Sequence, residues 1–187
     1  AAAVIYFIST VPVAPLHAIV VLPFDSAGVP RDESTVHVAF GLTDALTAEL
    51  SSLDGLRVVS LTSARWYKEA GMPPAQIARE LDADAVIEGS VFQEGSRLRV
   101  TVQLIDAAAD THLWAETYTR ESGSLIALQM EIAEAVAREV HLTITPAAQL
   151  RLASRPLIDA TVQEAYLRGR YYLSLGTEPD RRRARAA

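Results

Sequence analysis

The chain has 187 residues, half of them hydrophobic, which is enough to bury one sizeable core with flanking pieces. Its formal charge of -6 argues against nucleic-acid binding by this stretch, because phosphate contacts need a basic surface that displaces counterions. The run Arg181, Arg182, Arg183 and Arg185 reads as a solvated helix face, and the absence of cysteine rules out disulfides, thiolate metal sites and cysteine nucleophiles. The first 24 residues carry no Lys, Arg, Asp or Glu. A membrane-spanning helix needs about 20 apolar residues, and Pro12 and Pro15 would break one here. Ala1–Ile8 therefore reads as the outer end of a transmembrane helix or signal segment, and Ser9–His17 as a Pro-rich extended linker.

Ala18–Leu22 is a short unbroken apolar run ended by Pro23, the pattern of a strand buried on both faces. Asp25–Glu33 collects Gly, Pro and charges and is expected to be a surface loop. From Ser34 to Ser52 the spacing of Ala39, Leu42, Leu46, Leu50 and Leu53 predicts a helix, stopped by Asp54 and Gly55. Leu56–Ser60 is a second strand, and the segment Leu61-Thr62-Ser63 offers hydroxyl caps, from Thr62 and Ser63, to a short helix that carries Trp66 and Tyr67 and closes at Gly71. Pro73 and Pro74 open a further helix with Ile77, Ala78 and Leu81 on its apolar face. Three strands at hairpin spacing follow: Ala85–Gln93, Arg97–Asp106 and His112–Arg120. In the middle one, Leu98, Val100, Val102 and Leu104 alternate with polar residues. Ser124–Leu142 has helical spacing, Thr145–Asp159 loses its pattern, and Thr161 with Glu164 forms a capping box for a last helix, with Glu178–Ala187 as the start of a partner helix.

The fold class is α/β: a β-α-β-α first half, an antiparallel meander completing a mixed sheet, a closing helix, then a helical tail. The division is 1–17 (membrane-helix remnant and linker), 18–144 (α/β domain), 145–160 (linker) and 161–187 (start of a helical repeat).

The chain carries no recognisable catalytic motif. The histidines at 17, 37, 112 and 141 form no i, i+4 pair around a carboxylate, and no nucleophile elbow, Walker loop or dinucleotide fingerprint occurs. No catalytic, cofactor-binding or metal-binding residue is assigned. Asp106 suits an Asx-type turn. Trp114 suits core packing ahead of a ligand platform, and Trp66 and Tyr67 suit core or interface equally. These three aromatics are the candidate partner-binding residues. The end of the first strand and the Asp25–Glu33 loop form a mouth at which a small ligand could bind.

Taken together, Ile19–Phe24 (IVVLPF), Gly41–Ser51 (GLTDALTAELS), Leu56–Ser63 (LRVVSLTS), Ile77–Ser90 (IARELDADAVIEGS) and Arg97–Arg120 (RLRVTVQLIDAAADTHLWAETYTR) resemble the TolB amino-terminal-domain-like family. The resemblance covers about residues 18 to 142. It implies an α/β domain without catalytic residues, commonly set between a transmembrane helix and tetratricopeptide repeats. Across the membrane, such proteins often carry a winged-helix DNA-binding domain, a kinase or a cyclase. Under it, Glu88, Asp106 and Glu116 fall at structural positions, and Ala165, Tyr166, Leu167, Gly169 and Tyr171 resemble the first helix after the module. The expected function is a non-enzymatic, membrane-tethered protein-interaction or sensory module, without a cofactor. It would stand on the periplasmic side of a bacterial inner membrane, held by an N-terminal helix. It would bind protein partners or itself and no nucleic acid. The alternatives are a structural subunit of a membrane-associated complex and a small-ligand-binding domain.

Overall fold

A computed structural model describes residues 16–27, 33–95, 97–121, 125–140 and 160–176, with residues 180, 183 and 184. The expectations for residues 1–15, for Thr145–Asp159 and for most of Glu178–Ala187 lie outside the described residues. The mixed α/β architecture is present. Six strands, β1 (Ala18–Val21), β2 (Asp25–Ala27), β3 (Arg57–Val58), β4 (Ala85–Glu94), β5 (Arg97–Asp106) and β6 (Thr111–Glu121), form one sheet in the order β3-β1-β4-β5-β6, with β2 also paired to β4. The helices among the described residues are α1 (Glu33–Ser51), α2 (Leu61–Glu69), α3 (Pro74–Glu80), α4 (Leu125–Glu139) and α5 (Ala160–Leu175).

β1 runs parallel to both β3 and β4, and β4, β5 and β6 form the antiparallel meander. The two crossovers leave in opposite directions across the sheet, from β1 to β3 and from β3 past β1 to β4. Right-handed connections therefore place α1 on one face and α2 with α3 on the other. The face beneath α1 and α4 holds the larger core, with Ile19, Val21, Leu42, Leu46, Leu50, Ile87, Val100, Val102, Leu104, Leu128 and Ile132. Under α2 and α3 lies a smaller one, with Val20, Leu22, Ala64, Ile77, Ala78, Val86 and Ile105. This explains why Ala18–Leu22 reads as continuously apolar: alternate side chains enter different cores. Each fully buried Leu or Ile removed from water contributes about 2 kcal/mol.

Three details differ from the sequence reading. Asp25–Ala27 is a strand, not loop, and pairs in parallel with Ser90–Phe92. Its side chains are largely exposed, so its order comes from backbone pairing, which leaves no apolar pattern to read. The fold also reaches back into the expected linker: Leu16 is buried, and the His17 and Ala18 amides donate to Asp84 Oδ2, each at 2.8 Å. The α2 cap is Ser60, two residues ahead of the first expected hydroxyl at Thr62, and its Oγ accepts from the Ser63 amide. Elsewhere the expected turn chemistry is in place. Asp106 Oδ1 accepts from the Ala108 and Ala109 amides, at 2.8 and 2.7 Å, and Gly71 leaves α2 with φ +73°.

Candidate functional site

Helix α5 turns back onto the sheet domain. α5 packs across α1 at Gly41, where a Cβ would lie 2.2 Å from Leu167 Cδ2, so the missing side chain is what admits Leu167. Arg170 pairs with Asp44, the Tyr172 hydroxyl donates to Glu33, and the rings of Tyr171 and Tyr172 stand 5.0 and 5.5 Å from buried His37. The Glu33 carboxylate, as hydrogen-bond acceptor, raises the Tyr172 hydroxyl above its ordinary pKa. The inner side of α5 is thereby fixed. Its other side leaves Val162, Tyr166 and Leu173 exposed, and their spacings of four and seven residues place them on one stripe.

α1, α2 and α5 enclose a cleft at the carboxyl ends of β1 and β3. One hollow, of about 290 Å³, is lined by Pro23 and Phe24 from the end of β1 together with Phe40, Leu61, Lys68, Tyr171 and Leu175. It stands at the mouth that the sequence reading marked for a small ligand. A second hollow, of about 480 Å³, lies between Phe40, Leu61, Trp66, Arg170 and Leu173.

The structure separates the three candidate aromatics. Trp66 is 65% exposed at the rim of the larger hollow and meets Tyr67 edge to face at 4.8 Å. Tyr67 is half-buried and packs on the smaller core, while Trp114, on β6, packs half-buried against the larger core and takes no part in the cleft. Arg65, Phe40, Arg170 and Leu173 were not picked out from the sequence. Arg65 and Phe40 meet across α2 and α1, and Arg170 and Leu173 join them only through the return of α5, more than a hundred positions further along the chain.

The remaining perturbed groups belong to the sheet. Burial raises the Glu88 carboxyl above its ordinary value of 4.5, against the attraction of Lys68. Burial, followed by the 2.8 Å bond its hydroxyl donates to Glu116, raises Tyr118. Neither sits within a cluster of metal-ligating side chains among the described residues.

Similar proteins are found at three levels. A protein of Rhizobium meliloti (strain 1021) named “Putative adenylate cyclase 3” is 31% identical over 153 residues. That match takes in 82% of this chain, and the chain spans 26% of that protein. Among solved structures, lipoprotein GNA1162 of Neisseria meningitidis is similar at TM-score 0.45 and 20% identity, over 69% of this chain and 99% of that one. TolB of Acinetobacter baumannii is similar at TM-score 0.49 and 15% identity, over 66% of this chain and 28% of that one. Residues 16–135, the larger part of the chain, match the family described as HilA/YgeH-like transcriptional regulator, second domain, and the chain belongs to that family.

Proposed function

We propose that the chain is a non-enzymatic sensory and protein-interaction module of a membrane-tethered transcription-regulatory protein, held on the periplasmic side of a bacterial inner membrane. The observation that carries the interaction role is the two-sided α5, docked by Leu167 and the Arg170–Asp44 pair while Val162 and Tyr166 stay in solvent and Leu173 is exposed at the rim of the cleft. Apolar groups held outward on a fixed helix suit a partner surface better than the solvated coat of a monomer. Membership of a regulator's second-domain family supports the transcription-regulatory part of this reading. Among the described residues no helix is long and apolar enough to cross a membrane. The tether is assigned to the uncharged Ala1–Ile8, which lies outside them.

The test compares transcript profiles of strains expressing the wild-type protein, a form lacking residues 16–176, and Tyr166→Glu. Tyr166 is exposed, so its replacement is expected to leave the fold intact. The expected result is that Tyr166→Glu reproduces the profile of the deletion at unchanged protein level. A Tyr166→Glu profile identical to wild type would defeat the interaction role. Conversion of ATP to cyclic AMP by the purified chain would defeat the non-enzymatic part.

A further inference from the structure

β1 and β3 are parallel neighbours, yet the chain leaves β1 toward the face covered by α1 and leaves β3 toward the face covered by α2. Connections that diverge in this way open a crevice outside the carboxyl ends of the strands, the place where open α/β sheets bind ligands. In this molecule that crevice is the cleft of two hollows, which share Phe40, Leu61, Arg65 and Glu69. Their combined size suits a small organic molecule.

The charges in the cleft are not equivalent. Lys68 is held by Asp25 at 2.9 Å and by the Pro23 carbonyl at 2.6 Å, and Arg170 is held by Asp44. Arg65 has no carboxylate partner among the described residues. Its guanidinium lies over the Phe40 ring, 5.1 Å from the centroid, and Nη1 donates to Ser174 Oγ at 3.1 Å and to the Ser174 carbonyl at 3.4 Å. A guanidinium carries five N–H donors, so most of its capacity stays open, and it is oriented by an aromatic face beneath and a helix end beside it. Glu69 also lines both hollows and opposes an anion of high charge.

We infer that this crevice binds a small amphiphilic monocarboxylate, with its apolar body between Phe40, Leu61 and Trp66 and its carboxylate on Arg65. The inference rests on the sensory reading above, for which it supplies the class of stimulus. Leu173 and Ser174 of α5 form one wall, so a bound ligand favours the docked position of α5 and links the cleft to the outward stripe.

The chain has two tryptophans, so in a Trp114→Phe background Trp66 is the sole indole reporter at the rim. Phenylacetate, 4-phenylbutyrate and octanoate are titrated while Trp66 emission and the melting temperature are followed, beside the corresponding amides. The expected result is saturable binding of at least one acid, weakened about tenfold or more by the amide and by Arg65→Gln, since a charge-assisted bond is lost in each. Thermal melts of Arg65→Gln without ligand verify its fold. No saturable response to any of the three acids, or binding indifferent to Arg65→Gln, would overturn the site. Either outcome leaves the interaction role standing, because that role is read from Tyr166→Glu.

Discussion

Glu88 stands half-buried on β4, and the physical cost of that position sets a pH dependence. A carboxyl whose folded pKa is raised binds more protons in the folded than in the unfolded chain, so folding stability falls as pH rises from the ordinary value of 4.5 through the folded value. Glu88→Gln is therefore expected to raise the melting temperature at pH 7, with the gain disappearing below about pH 4. Scanning calorimetry across this range checks it, and a destabilised variant at pH 7 would show that the attraction of Lys68 outweighs burial. Asp84 has the opposite role. It fixes the start of β1 through the two amides its carboxylate accepts, and Asp84→Ala is expected to cost about 1.5–3 kcal/mol in urea unfolding. Residue roles of this kind were unequally legible. Asp106 could be read because an Asx turn is local in sequence, whereas Asp84 acts on residues 66 and 67 positions away, and nothing near it announces the bond.

At the scale of elements, legibility followed the number of faces each element buries. β5 was plain because Leu98, Val100, Val102 and Leu104 enter one core while their neighbours stay outside it. α1 was recognisable by its sheet-facing residues, but its second contact was hidden. Gly41 sits in mid-helix, where sequence logic counts it only as a weak helix former, while the structure makes it the seat of Leu167. The same contact explains why α5 reads ambiguously, being apolar on its docked side and again along Val162, Tyr166 and Leu173. Gly41→Ala is expected to release α5 while sparing the sheet. Hydrogen exchange would show α5 amides losing about tenfold or more of their protection, with β4 and β5 unchanged. Unaltered protection in α5 would mean that Leu167 is not its anchor. At Gly89 the effect should fall on the sheet itself: a Cβ there would meet the Phe24 ring at 2.6 Å, so Gly89→Ala is expected to destabilise by about 1–3 kcal/mol through overpacking.

For the molecule as a whole, the sheet order matters more than any single side chain. Diverging connections around β1 create the cleft, α5 walls it, and the outward stripe of α5 lies on that same helix. The fold class, the meander and the closing helix could be read from periodicity, since each depends on short-range pattern. The mouth at the end of β1 could be marked from the strand-end rule, but the walls of the cleft could not, because they join residues from the segment after β1, α1, α2 and α5 that have no relation along the chain. The chain belongs to a family of regulator second domains and spans 26% of the curated relative it matches, which sets the proposed role within a larger protein. The interaction role is tested most directly by site-specific photocrosslinking in living cells, with a photoreactive phenylalanine analogue placed either at Tyr166 or at Thr101 on the polar face of β5. A discrete protein adduct, partner or second copy, is expected from position 166 and none from position 101. No adduct from position 166, or adducts of equal yield from both, would contradict the interaction role.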